Sequence, residues 1–550
     1  MGHAPQGRGG PSDHARIRRP PETPRIFRKI ATPRRRFGLI FRKFGAARGA
    51  RASRFSLHAQ EGRCKTSGVW KNRLKPYDWL SGEEVNTVHE QAMTILEEIG
   101  VDFLHERARD LFAKAGMRVE DNRVRFERAF VLEQVAKTPA TFELQARNKA
   151  RSVVLGGDHV VTAPVYGPPF VTDLERGRRG ATLEDFTNFD KMSQAVEQIH
   201  CAGGTTVEPE DLPLESRHLD MVYSHLRWTD KPFMGSVISS ENARDTIEMA
   251  AIVCGGRESI EKTPAVISLI NVNSPLRYDD RMLGALLEYS EAGQPVIVTP
   301  FLMAGAMSPM GLAGTVAQQT AEALAGIALV QLLRPGTPSV YGSFLTNTDM
   351  QSGSPAFGTP ESAMGILASA QMARHYNLPF RGGGALTSSK APDAQAAYES
   401  MMCMWPTILG RVNFVLHAAG WLESALLASY EKFVIDVEQL RMFEWILGHG
   451  MPVDEEGLAM DALREVGPGG HFLGAEHTMR HYRTGFYRPW VSSTENFDRW
   501  QRFGSRSAEV VAAERWKQLL AEYPDPGIDA GVDEQLTEFV ARRKSELVES

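Results

Sequence analysis

The stretch LPFRGGGALTSSKAPDAQAA at residues 378–397 decides how the rest of the chain is read. Leu378, Pro379 and Phe380 read as the end of a short strand. Arg381 and three successive glycines, Gly382, Gly383 and Gly384, follow; three glycines let a backbone take φ > 0 and come close to a ligand. Thr387, Ser388, Ser389 and Lys390 then make a polar loop, and Pro392 opens a helix. The order is strand, loop of small and polar residues, helix.

That unit recurs from residue 160 onward. The pattern predicts strands at 160–165, 199–203, 232–238, 265–270, 295–300, 339–343, 378–382 and 413–417. It predicts helices near 182–197, 213–228, 241–254, 279–291, 315–333, 360–376, 392–409 and 422–447, the last one broken. Thr182 with Asp185 and Ser81 with Glu84 have the spacing of capping boxes. Eight strands alternating with eight helices predict an α/β protein built as a (β/α)8 TIM barrel. A doubly wound open sheet would carry a glycine-rich fingerprint after an early strand. Neither G-x-G-x-x-G nor G-x-x-x-x-G-K-[ST] occurs in the chain.

Around the barrel, expected at 159–447, the sequence divides into three further parts. Residues 1–75 hold 20 Lys and Arg against 3 Asp and Glu. Rich in Arg, Pro and Gly, this arm is predicted to be disordered. Residues 76–158 predict an N-terminal helical cap, with a second helix around 105–115 and short strand-like pieces at 122–126 and 152–155, and 448–550 a C-terminal helical extension that wraps the barrel or makes a subunit contact in a homo-oligomer. The 550-residue chain carries a net charge of −5, so beyond the arm it is acidic, which argues against nucleic acid as a partner. The uncharged run 292–321 is long enough for a bilayer, but its prolines and glycines read as strand, loop and helix start, not as a membrane span. Four scattered cysteines without C-x-x-C or zinc spacing predict reduced thiols in a cytoplasmic protein and no metal site.

In such a barrel the site lies at the carboxyl ends of the strands. That rule selects Tyr166, Phe170, Phe301, Tyr341, Phe344, Phe357 and Trp421, aromatic rings of the kind that hold a quaternary ammonium by cation–π attraction. It also selects Glu208, either a negative charge near the cation or a solvated loop carboxylate, and His417, either a site hydrogen-bond donor or a satisfied core histidine. Arg381 and Lys390 are placed to grip a carboxylate, amide or phosphate, or else to pair with Asp393 or Glu399. Gly382, Gly383, Gly384 and Ser388 complete a close-approach surface. No H-E-x-x-H, G-x-S-x-G or obvious carboxylate pair is present.

Taken together, LSGEEVNTVHEQAMTILEEIGVDF at 80–103, YGPPFVTDLERGRRGATLEDF at 166–186, GGGALTSSKAPDAQAAYES at 382–400 and HFLGAEHTMRHYRTGFYRPW at 471–490 resemble the trimethylamine methyltransferase family of corrinoid-dependent enzymes. The resemblance runs from about residue 77 to 545. It implies a barrel that passes a methyl group from a methylated amine to the Co(I) corrinoid of a separate protein, binding no cofactor tightly itself. The namesake enzymes carry pyrrolysine; this chain has only standard residues and is similar to the branch without it, some of whose members demethylate glycine betaine or related quaternary amines. The chain lacks a D-x-H-x-x-G corrinoid-ligand motif, so the resemblance implies that cobalt arrives on a partner protein. Two other functions stay open from the residues alone: a barrel enzyme of another class, such as a lyase or hydrolase, and a non-catalytic binder of quaternary amines.

Overall fold

The computed structural model describes residues 70–549. The expected arm therefore lies outside the described residues except for its last six. Of those, Trp70–Lys71 belongs to the folded body: it pairs antiparallel with the strand at 159–162, and Trp70 is buried.

The segment that follows contains the helix expected around 105–115, at Glu106–Lys114, and strands where strand-like pieces were expected, at Arg123–Arg125 and Val153–Gly156. Helix α1 (Gly82–Thr94) starts as predicted, with Ser81 and Glu84 capping each other's backbone N–H groups. Short strands Val101–Phe103, Arg118–Glu120 and Arg123–Arg125 then form a small sheet. Arg277–Tyr278 from the main body joins it, with Arg277 opposite Asp102, so the segment is stitched into the body. A hairpin of Thr141–Leu144 and Val153–Gly156 follows.

The body is mixed α/β. Seven mutually parallel strands form the main path of its sheet: β1 (His159–Thr162), β2 (Phe233–Met234), β3 (Val266–Val272), β4 (Val296–Ala304), β5 (Ser339–Gly342), β6 (Phe380–Arg381) and β7 (Phe414–Val415), and Phe344–Thr348 pairs in parallel with the end of β4 off that path. Hydrogen bonds run in the order β1-β7-β6-β5-β4-β3-β2. Helices alternate with the strands: α2 (Leu183–Ala195), α3 (Arg217–Trp228), α4 (Ser240–Cys254), α5 (Asp280–Glu291), α6 (Leu312–Leu333), α7 (Pro360–His375), α8 (Ala394–Leu409) and α9 (Tyr430–Gly448). The capping box of Thr182 and Asp185 starts α2 as predicted.

The expected strand at 199–203 forms no ladder. It runs as irregular backbone between the two edges of the sheet, where the His200 and Cys201 N–H groups donate to Thr162 O, Ala202 N–H donates to Pro232 O, and Met234 N–H donates to Gly203 O. Its two glycines, Gly203 and Gly204, explain the irregularity: Gly203 has φ +100, a value strands do not use. The last helix also starts later than predicted. Residues 421–429 instead make the hairpin Trp421–Leu422 and Leu427–Ser429.

Side-chain alternation sorts the strands into two faces. Val161, Met234, Leu269, Ile297, Val340 and Phe414 meet in one buried cluster, so the sheet curls on itself. Phe142, Leu144, Val153 and Leu155 of the hairpin join that cluster. The hairpin sits at the amino ends of the strands, since the residue following it, Gln145, donates from its N–H to Pro264 O. The opposite alternation, Val160, Phe233, Val266, Val298, Tyr341 and Val415, packs against the helices. Helix α6 is the one described helix long and apolar enough to cross a membrane, and it lies buried in this layer. The run 292–321 that could have been a span divides instead between β4 and the start of α6. The last two helices, α10 (Ala508–Ala521) and α11 (Ala530–Glu549), lie on the outside. Trp516 of α10 donates to Glu431 at 2.8 Å, and Arg543 of α11 pairs with Asp245 of α4 at 2.7 Å.

Candidate substrate site at the carboxyl ends of the strands

Arg381 takes an inward-facing position. It pairs in register with Phe414, which pairs with Val161, and both of these belong to the inner cluster. The guanidinium is buried. Nη1 donates to Ser343 O at 2.8 Å and Nη2 to His417 Nε2 at 3.1 Å, while Nε–H has no partner. No carboxylate pairs with this cation among the ion pairs of the described residues, so neither Asp393 nor Glu399 is its partner. Burial pulls Arg381 down to about 9.

His417 is fixed by the same contact. An arginine can only donate, so His417 Nε2 is the acceptor and the ring carries its proton on Nδ1. Nδ1 is buried and has no partner. Burial, reinforced by the Arg381 charge, holds His417 well below the usual histidine range and keeps it neutral.

Aromatic rings gather over this pair. The Phe344 ring lies 5.1 Å from the guanidinium and 5.2 Å from the His417 ring. Phe301 is opposite Phe344 in register, with ring centroids 5.3 Å apart. Tyr166 meets His417 edge-on at 6.5 Å. These three rings are half-buried. Behind them, Phe357 and Trp421 are buried and pack on Phe344. Trp421 Nε1–H donates to Thr387 O at 3.2 Å and so anchors the polar loop. Trp421 is therefore a support for the site, not a surface of it.

Two predicted rings lie elsewhere. Tyr341 is on the outward face of β5, with its hydroxyl held by Gln319 at 3.1 Å and Thr320 at 2.9 Å. Phe170 lies in the hairpin region outside the ring cluster, with the Arg178 guanidinium 3.7 Å from its ring. Glu208 sits at the rim with its side chain 46% exposed and Arg217 at 3.8 Å. Burial, with the Glu208 charge adding to it, raises the Tyr166 hydroxyl above its usual range.

The glycine loop has a packing explanation. A Cβ on Gly382 would meet the Phe380 ring at 2.8 Å, and one on Gly384 the His417 carbonyl at 2.9 Å. Gly383 has φ +65, and a Cβ there would collide with the buried Thr407 side chain of α8. These glycines are set by the helix and strand beside them. Ser388 donates from Oγ to Phe357 O at 3.0 Å, and its N–H goes to Glu399 at 2.9 Å, so it too is structural. Lys390 is exposed and folds back on Ser388 O at 2.8 Å, away from Asp393 and Glu399.

Sequence reasoning missed Thr299, which is buried on the inward face of β4 with an unpartnered hydroxyl. The two-residue spacing from Ile297 was the available signal. It also missed Glu456, His477 and His481, whose ligand atoms lie within 4.8 Å of one another in the C-terminal extension. The H-x-x-x-H spacing puts both rings on one side of a helical turn, and Arg480 shares Glu456 with them at 3.1 Å. Glu322, a buried carboxylate raised by desolvation, is bound by Ser274, Leu276 and Gln318 and ties the loop after β3 to α6.

Comparison with known proteins gives the chain its relatives. The chain is 46% identical over 86% of its length, and 99% of the relative's, to the glycine betaine methyltransferase of Desulfitobacterium hafniense. It is 32% identical over 76% of its length, and 87% of the relative's, to the proline betaine:corrinoid methyltransferase of Eubacterium limosum. Among solved structures, the monomethylamine methyltransferase of Methanosarcina barkeri superposes with a TM-score of 0.43 at 10% identity, covering 82% of this chain and 98% of that one. The model of the trimethylamine methyltransferase family matches residues 47–548, and the chain belongs to that family.

Proposed function

We infer that this methyltransferase moves a methyl group from a quaternary or tertiary methylated amine of the betaine kind to the corrinoid of a separate partner protein. The observation that carries the reading is the make-up of the carboxyl ends of the strands: half-buried rings inside and an apolar rim outside. The exposed large apolar residues between the sheet and its helices are Leu174, Leu214, Ile238, Met310, Met350 and Leu426. All six lie on loops that leave the carboxyl ends of the strands, and a one-sided apolar rim of this kind fits a protein partner. We also infer the full (β/α)8 barrel, with segment 199–203 as its second strand, closing the sheet through the hydrogen bonds to Thr162, Pro232 and Met234.

The bound corrinoid supplies a Co(I) nucleophile. The residues of this chain do the rest. Tyr166, Phe301 and Phe344 hold the cation by cation–π attraction and exclude water from it. They orient one methyl toward the rim, which is the largest contribution such a site can make. The departing amine is neutral and needs no proton, in keeping with a neutral His417 and a Glu208 that stays at the rim. The free thiols Cys201, Cys254 and Cys403 support a reducing, cytoplasmic setting.

The test is methyl transfer in vitro. Purified protein, a cognate corrinoid protein kept as Co(I) and a panel of methylated amines are mixed, and methyl-Co(III) is followed by absorbance. Transfer from a betaine is expected. Tight binding without transfer would instead indicate a binder, and neither binding nor transfer across the panel would indicate a different enzyme class.

A further inference from the structure

We propose that Arg381, His417 and Thr299 form an anion receptor at the floor of the site, that it takes a carboxylate of the substrate, and that it restricts the enzyme to zwitterions. This rests on the reading that the rings above it hold a quaternary nitrogen.

Three buried polar groups on the inward face lack partners: Arg381 Nε–H, His417 Nδ1–H and the Thr299 hydroxyl. Arg381 is 1%, His417 3% and Thr299 1% exposed, so solvent does not satisfy them. A buried donor without an acceptor is costly, and few occur in native proteins. Their positions are related. Gly342 pairs in register with Arg381, and Thr299 adjoins Gly342 on the next strand. Gly342, the residue in register between them, contributes no side chain there. His417 touches Arg381 directly. What this set lacks is an acceptor with several lone pairs and a negative charge, which describes a carboxylate.

The electrostatics select against other amines. The Arg381 charge is 5.1 Å from the Phe344 ring, the surface that would receive the quaternary nitrogen. An unpaired cation there repels a bare cation such as choline or trimethylammonium. A zwitterion presents its own carboxylate between the two positive charges and removes that repulsion. The short distance from guanidinium to ring calls for a carboxylate only one or two carbons from the nitrogen. Lys390, the other cation near this loop, is exposed and points elsewhere.

The test uses the intact protein and calorimetric binding of four probes: trimethylglycine, its methyl ester, choline and 3,3-dimethylbutanoate. The ester and choline keep the cation and lose the carboxylate. The butanoate keeps the carboxylate and shape but has a neutral tert-butyl group. Trimethylglycine is expected to bind at least about 100-fold more tightly than the ester and choline. Ester or choline affinity within about threefold of trimethylglycine overturns the receptor, as does failure of both carboxylate probes to bind. If the butanoate binds as tightly as trimethylglycine, the receptor stands and the cation-holding role of the rings fails. Arg381→Gln, checked for unchanged thermal unfolding, is expected to lose most of the preference for trimethylglycine over the ester; a retained preference overturns the assignment.

Discussion

Replacing Gly383 with alanine tests whether the glycine loop is built by packing or by the approach of a ligand. Gly383 has φ +65, and its Cβ direction runs into Thr407. A side chain in the left-handed region costs about 1–2 kcal/mol. Thr407 cannot swing away freely: it is buried, and its hydroxyl donates to Cys403 O at 2.7 Å. Overpacking against a fixed neighbour adds about 1–3 kcal/mol, so Gly383→Ala should destabilise the protein by about 2–5 kcal/mol. Thr407→Ala in the same chain removes the colliding Oγ1 and Cγ2 but keeps the Thr407 Cβ at 2.8 Å, so it should return part of the packing share and leave the backbone strain. Thermal and urea unfolding of both single variants and the double variant measure the coupling, expected at about 1–3 kcal/mol. If Gly383→Ala unfolds with the parent, or the double variant is no better than the sum of the singles, the packing account is refuted.

Other perturbations separate structure from function. Asp436→Asn leaves Lys432 buried without its counter-charge in α9; unfolding experiments should show a loss of about 3–5 kcal/mol, largely recovered when Lys432→Met and Asp436→Leu are combined. His200 is held down to about 3 by burial, with the charges of Lys231 and Arg151 adding to it, so the unfolded chain binds a proton there below about 6.5 that the folded chain does not. Its contribution is therefore complete above pH 6.5 and is lost as pH falls, by about 1.4 kcal/mol per unit; denaturation at stepped pH should show a shallower acid limb in His200→Gln. Lys390→Ala should leave stability within about 0.5 kcal/mol and methyl transfer unchanged, and a tenfold fall in turnover would return Lys390 to the site.

Much of the fold was legible because it depends on local order. Strand and helix periods, and the capping pairs at Ser81 and Thr182, are written in residues a few positions apart. The failures came where tertiary contacts override the local pattern. Segment 199–203 is apolar enough for a strand, yet Gly203 takes a left-handed backbone that breaks the ladder. Residues 421–429 looked like the start of a helix, but they turn back as a hairpin whose strand Leu427–Ser429 pairs with Phe170–Thr172. For the site, position along a strand was informative and direction was not. Tyr341 and Arg381 both lie at strand ends, but one faces the helices and the other the interior, and a shift of one residue in register would exchange such faces.

The sequence by itself determined that parallel strands alternate with helices, that rings and glycines cluster after them, and which family the quoted stretches resemble. Only the tertiary structure decided that Gly383 answers to Thr407, that Trp421 supports the loop, and that Arg381 is buried with His417 and no carboxylate. The physical reason is that steric fit and charge compensation belong to pairs of residues. Ser343, His417 and Thr407 are distant from the glycine run in the chain and meet it only when the sheet and its helices pack.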